Sequence, residues 1–171
     1  MSRRIACMLV AAAAAASAAA SAADLTVVFV NPENFTDAAY SHPNGTPEER
    51  AVVMRDVERH LAKLAERGLP AGDALRIEVL DIDLAGWFGP FTFRTGIDLR
   101  VLRDITWPRI KLRYTLSRGD RVLASGEQHL SDLNYLMTVN RYSGSDRLRY
   151  EKAMLDDWFA RRIVTAAGAP A

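Results

Sequence analysis

The chain has 171 residues, 49% of them apolar, with 22 lysines and arginines against 21 acidic residues. That length suits one ordinary domain with a core of its own. The near-neutral balance disfavours a nucleic-acid binder, which normally carries a strong basic excess, and a single cysteine, Cys7, gives no disulfide framework.

Residues 1–23 have the three-part build of a secretory leader. Arg3 and Arg4 form a positive head. An apolar stretch follows from Ile5 to Ala20, broken only by Ser17, and Ala20-Ser21-Ala22 offers an A-x-A cleavage site. A spanning anchor needs about 20 apolar residues, and alanine is only weakly apolar, so cleavage is expected rather than anchoring. Cleavage removes Cys7, Arg3 and Arg4 and leaves the rest slightly acidic. The expected product is periplasmic: one α+β domain over residues 24–165 and a frayed tail over 166–171, with no later segment able to span a bilayer.

Residues 25–30 are β-branched and apolar at both parities, which predicts a strand covered on both faces. Residues 33–46 are polar and rich in Asn, Pro and Gly and predict a loop. Thr46, Pro47 and Glu49 make a T-x-x-E capping box with proline at the first helical position. Val53, Val57, Leu61 and Leu64 then form one apolar stripe, and Gly68 with Pro70 ends the helix.

Residues 75–84 predict a second strand whose apolar parity flips near Val79. Either a bulge sits there, or the far half is covered on its opposite face. Without a bulge, Asp81 and Asp83 share the side of Leu75, Ile77 and Val79. Residues 85–96 hold three glycines and four aromatics, and Ile97, Leu99 and Val101 alternate with charges. A hairpin follows. A three-residue turn at Arg118-Gly119-Asp120 pairs Leu116 with Val122, Tyr114 with Ala124 and Leu112 with Gly126, and sets Lys111 opposite Glu127 and Arg109 opposite His129. After a connector over 132–142, a last helix is expected from Ser143 or Ser145 to about Thr165. Its buried side is Leu148, Leu155, Trp158, Phe159 and Ile163. Glu151 falls inside that stripe, and a buried carboxylate needs a partner; a strand arginine, Arg109 or Arg113, is the expected one. The strand-helix-strand opening predicts a parallel pair. The fold class is α+β: a mixed sheet with an antiparallel hairpin and two main helices packed mainly on one face.

Five segments in order resemble the bacterial family known as domain of unknown function 3016. They are Asn34-Phe35-Thr36-Asp37, Asp81-Ile82-Asp83-Leu84-Ala85-Gly86, Trp107-Pro108-Arg109-Ile110, Leu130-Ser131-Asp132-Leu133-Asn134-Tyr135, and the run from Tyr150 to Phe159. The resemblance implies a small exported protein of Gram-negative bacteria. It supplies no activity, ligand or catalytic residue.

Three features remain as candidate sites. Asp81 and Asp83 form a D-x-D pair that can hold a hard cation, or serve as strand-end carboxylates that cap loop amides or pair with arginines. The rings Trp87, Phe88, Phe91 and Phe93 either expose an apolar contact patch or fold back over the end of the core. The row Arg109, Lys111, Arg113 can meet phosphates or form a solvated strand face. His42, His60 and His129 have no zinc spacing, and His60 is placed off the apolar stripe. No serine sits in a nucleophile elbow. The expected function is a non-enzymatic envelope binding module without a cofactor, meeting an envelope protein or apolar ligand through the aromatic loop as a monomer or weak dimer. The alternative is a divalent-metal-dependent hydrolase or cation-binding enzyme using Asp81 and Asp83.

Overall fold

The computed structural model describes residues 23–41, 45–88 and 99–168. The leader, His42, Phe91, Phe93, Ile97 and residues 169–171 lie outside the described residues. Strand β1 (Asp24–Phe29) pairs in parallel with β2 (Asp73–Asp83), and helix α1 (Pro47–Gly68) makes the connection. A short antiparallel pair, β3 (Trp87–Phe88) and β4 (Arg100–Val101), precedes the hairpin β5 (Arg109–Arg118) and β6 (Arg121–Ser131). Helix α2 (Arg149–Trp158) closes the chain, continued by a π-helical turn (Phe159–Val164) and an α-helical turn (Thr165–Ala167). The main sheet has the order β1-β2-β5-β6 and is mixed, as expected for α+β.

The start of α1 forms as its sequence predicts. The Thr46 hydroxyl accepts from the Glu49 amide at 3.3 Å, and the Glu49 carboxylate accepts from the Thr46 amide at 3.1 Å. Each contact satisfies a donor that the first helical turn leaves open. Val53, Val57 and Leu61 then turn onto the sheet. At the other end, a Cβ on Gly68 would stand 3.0 Å from both Phe159 and Val164. Glycine there lets α1 and the π turn approach closely.

The parity flip in β2 is a bulge. Register shifts between Val79 and Asp81, so Leu80 is the extra residue. Leu75, Ile77, Val79 and Ile82 therefore all face the helices and are at most 1% exposed. Asp81 and Asp83 are turned to the opposite face. Ile110, Leu112, Tyr114 and Leu116 of β5 supply the next row of the core, and the Tyr114 and Trp158 rings meet edge-to-face at 5.7 Å.

The hairpin register differs from the expected one. Its turn has two residues, Gly119 (φ +55°) and Asp120, and a second bulge follows between Leu116 and Ser117. Leu116 thus faces Ala124, Tyr114 faces Gly126 and Leu112 faces Gln128, while Lys111 faces His129 and Arg109 faces Ser131. The slip is two residues, so side chains from Ala124 onward keep their predicted face, while the bulge turns Val122 outward opposite Ser117, where it is 57% exposed. The last helix also differs: it begins at Arg149 rather than near Ser143. Asp146 is the reason, since its side chain accepts from the Leu148 amide and from Lys152, holding residues 143–148 as turns. The helix then runs past Thr165 to Ala167, whose carbonyl accepts from Arg118 at 2.8 Å; residues 166 and 167 are not a frayed tail.

Candidate functional site

The C-terminal ends of β1, β2 and β6 and the start of β5 lie at one end of the sheet, which therefore carries the segments 30–41, 84–88 with 99–108, and 132–148. Arg100 fastens the first to the second. Its side chain is 4% exposed and donates to the Asp37 carboxylate at 2.8 Å, to the Ala39 carbonyl at 2.7 Å and to the Gly86 carbonyl at 3.1 Å. Its guanidinium also stacks 4.6 Å from the Phe88 ring centre. Asp37 itself continues the sheet where β1 has stopped: its amide donates to Ile82 and its carbonyl accepts from Leu84. Burial raises the Asp37 carboxyl above its ordinary value against the pull of Arg100.

Glu151 lies beneath this fastening and is 1% exposed. The sequence placed it in the core correctly, but its partner is not Arg109 or Arg113. One carboxyl oxygen accepts from the Ala85 amide at 2.7 Å, and the other is buried without a partner. The β2 bulge explains the change, because it turns Asp83 outward to take Arg109 on the exposed face, while Glu151 points from α2 into the layer between helix and sheet. Burial pushes the Glu151 carboxyl up to about 7, with the Ala85 amide pulling the other way. The raised value fits a buried carboxyl with one oxygen that has no donor to accept from among the described residues.

Asp81 and Asp83 do share a face, each with its own partner. Asp81 accepts from the Thr36 amide at 2.7 Å and the Thr36 hydroxyl at 2.8 Å; Asp83 accepts from Arg109 Nε at 2.8 Å. This is the arrangement of strand-end carboxylates that cap a loop amide and pair with an arginine. Among the described residues no group of three or more His, Cys, Asp and Glu side chains converges as a metal site would require. The basic row is likewise matched: Lys111 meets Glu127 at 2.9 Å, and Arg113 bridges Glu78 and Glu127 at 3.1 and 3.2 Å. Lys111 and Arg113 hold the Glu127 carboxyl below its ordinary value.

The two described rings of the aromatic loop behave differently. Phe88 is half-buried against Arg100, whereas Trp87 is 42% exposed, with Arg103 over its ring at 5.8 Å. Trp87 has company that the sequence reading missed. Of eleven exposed large apolar side chains among the described residues, eight lie at this end: Trp87, Leu99, Leu102 and Ile105 on one segment, Leu133, Leu136, Met137 and Val139 on the other. Met137 and Val139 are 87% and 97% exposed. The segments are tied together by Tyr135, which is buried, donates to the Arg103 carbonyl at 2.7 Å and stacks on Tyr150. Gly86 (φ +86°) lets the first segment fold back, since a Cβ there would meet Leu102 and the Val101 carbonyl at 2.9 Å. The warning signal in the sequence was a run of apolar residues without strand or helix period inside a connector.

A second missed cluster sits on the helical layer. His60 is buried rather than off the stripe, because it falls three residues after Val57 on the core side of α1. Its Nε2 meets Asp156 at 3.0 Å, and the Tyr142 hydroxyl donates to the same carboxylate at 2.6 Å. Burial holds the His60 imidazole below its ordinary value, outweighing Asp156. Burial also raises the Tyr142 phenol. The cluster pins the loop that ends at Tyr142 to both helices.

No described helix is long and apolar enough to cross a membrane. Among curated proteins no sequence matches this chain. A family described as protein of unknown function, DUF3016, matches residues 23–161. The five motifs that resemble it include Asp37, which holds Arg100, Asp81 and Asp83 at the loop end, Tyr135, which joins the two apolar segments, and buried Glu151. The chain belongs to this family.

Proposed function

We propose that this chain is an exported, periplasmic, non-enzymatic binding module that holds another envelope protein against its apolar loop end. The observation that carries the reading is the concentration of eight of eleven exposed large apolar side chains there, on loops fixed by Arg100 and Tyr135. Water-exposed apolar surface on that scale is disfavoured unless something covers it. Trp, Met and Arg are enriched in the centres of protein interfaces, and Trp87, Met137 and Arg103 are of those types. The rim has both signs of charge, with Arg103 and Arg109 near Asp104 and Asp132, which suits a protein partner better than a uniformly anionic membrane surface. Export is supported by the leader pattern of residues 3–22 and by the first strand beginning at Asp24.

The test is a photo-crosslinking residue at Met137, read in living cells. One discrete protein adduct is expected. It should disappear when Ile105→Ser and Val139→Ser are added. If the same probe at Thr115, on the outer sheet face, captures the same adducts, or if Met137 captures only lipid, the partner reading is wrong.

A further inference from the structure

A recess of about 350 Å³ opens between α1 and the chain around residues 141–152. It lies within the range of small-ligand sites. Arg59, Lys63 and Arg67 line it from α1, and Arg141 and Lys152 from the facing wall; Asp56 and Asp146 are its only acidic lining residues. Both carboxylates are already engaged, Asp56 by Arg59 at 2.9 Å and Asp146 by Lys152 at 2.6 Å. Arg141 reaches past the lining to Asp156.

Lys63 and Arg67 are left over. Neither makes an ion pair among the described residues. They stand four residues apart on one helix face, where two like charges repel. Arg67 has a separate reason to be there, since a cation in the last helical turn complements the helix dipole. Lys63 has none. Two unmatched cations facing a concave wall that already carries Arg141 and Lys152 make a local field that attracts anions. A guanidinium fork matches a phosphate bidentately, and the lysine adds a mobile point charge.

We propose that this recess binds a small ligand carrying a phosphate group, held by Lys63 and Arg67 on α1 and facing Arg141, which stays paired with Asp156, on the opposite wall. His60 and Tyr142, tied to Asp156, set the depth of the site and do not contact the phosphate as charged groups. The site adjoins the apolar loop end through residues 141–146 but uses none of its exposed apolar side chains, so the two are tested separately.

The experiment titrates inorganic phosphate and glycerol 3-phosphate into the purified protein at fixed ionic strength, by calorimetry. Saturable binding of one equivalent is expected. It should weaken at least tenfold in Lys63→Gln/Arg67→Gln, whose side chains are exposed and whose fold circular dichroism checks, and stay unchanged in Arg161→Gln, a surface residue paired with Asp157. A parallel flotation with phosphatidylglycerol vesicles, phosphatidylcholine vesicles serving as control, separates the two sources of phosphate. Flotation lost in the double variant assigns a lipid headgroup. Calorimetric binding without flotation assigns a soluble phosphate compound. Absent saturation with no flotation, or equal binding by the double variant in either assay, overturns the site.

Discussion

The two ends of the sheet are built by the same device and finished differently. Each is fastened by one arginine that gathers carbonyls and a carboxylate. At the hairpin end Arg118 donates to both oxygens of buried Asp73 and to the Ala167 carbonyl, joining β5, the start of β2 and the last helical turn. Arg100 does the same at the loop end with Asp37, Ala39 and Gly86. Around Arg118 the surface is ordinary, with Val122 the exposed apolar residue nearest the turn. Around Arg100 eight large apolar side chains face water. Folding alone asks for neither difference, because both ends are equally well tied. The apolar surplus at the loop end is the feature on which the proposed partner contact rests.

The largest expected effect tests whether that end is truly fastened. Arg100→Ala leaves the largely buried Asp37 with no cation and unties the segment at 37–39 from that at 85–86. Removing one partner of a buried pair costs about 3–5 kcal/mol, and a denaturant unfolding series should show a loss of that order. A loss below about 1 kcal/mol would mean that the loops hold by themselves and that the comparison between the ends is false.

Glu151→Gln sharpens the same point through pH. The Glu151 carboxyl has a higher pKa in the fold than in the unfolded chain, about 7 against an ordinary 4.5. The folded state therefore binds the proton more tightly, so this group favours the fold most below about pH 4.5, and that contribution is lost as pH rises through about 7. The difference is of the order of 3 kcal/mol across the window. His60 works in the opposite direction. Its folded pKa lies below the ordinary 6.5, so its contribution is present above that value and lost as pH falls. Stability measured from pH 4.5 to 8 should thus be a shallow compromise in the parent. In Glu151→Gln it should rise more steeply with pH, because the Glu151 slope that opposes the histidine is gone. Parallel curves for parent and variant would show that Glu151 is ionised throughout.

Much of the scaffold was legible in the sequence because it depends on local rules. The Thr46-Pro47-Glu49 box, the Val53-Val57-Leu61 stripe and the alternation of residues 110–116 each identify an element from its own residues. The parity flip at Val79 announced the Leu80 bulge, although the sequence could not choose between a bulge and a change of cover. The failures are non-local. The hairpin register depended on a two-residue turn plus a bulge, whose combined slip of two leaves the polar pattern unchanged from Ala124 onward. The partner of Glu151 depended on which way Asp83 faced, and that followed from the bulge. Of the site, Trp87 was visible as part of a ring cluster. Ile105, Met137 and Val139 were not, since their exposure is set by Tyr135 and Arg100 reaching across 32 and 61 residues of chain.

A smaller effect is expected where the loop end meets the helices. Tyr142→Phe deletes a hydroxyl that donates to the Asp156 carboxylate at 2.6 Å and accepts from Arg141 at 3.4 Å. A hydrogen bond to a charged group contributes about 1.5–3 kcal/mol, and His60 and Arg141 still hold Asp156. The loss in unfolding free energy should fall at the low end of that range. A loss as large as that of Arg100→Ala would move the fastening of this end from β4 to the helical layer.

The smallest expected effect on stability separates folding from function. Ile105→Ser, Met137→Ser and Val139→Ser together remove side chains that are 70%, 87% and 97% exposed. Exposed substitutions away from caps and cores usually stay within about 0.5 kcal/mol each. A polar replacement that shrinks water-facing apolar surface can even be neutral or favourable to solubility. The triple variant should therefore unfold at nearly the parent's denaturant midpoint, while Ile105→Ser with Val139→Ser should remove the partner from the probe at Met137. Three outcomes separate the explanations. Stability kept and partner lost shows a surface selected for contact. Marked destabilisation shows that these residues pack against the chain outside the described residues and belong to the fold. Stability and partner both kept would place the contact elsewhere, and the difference between the two ends of the sheet would then have no functional meaning.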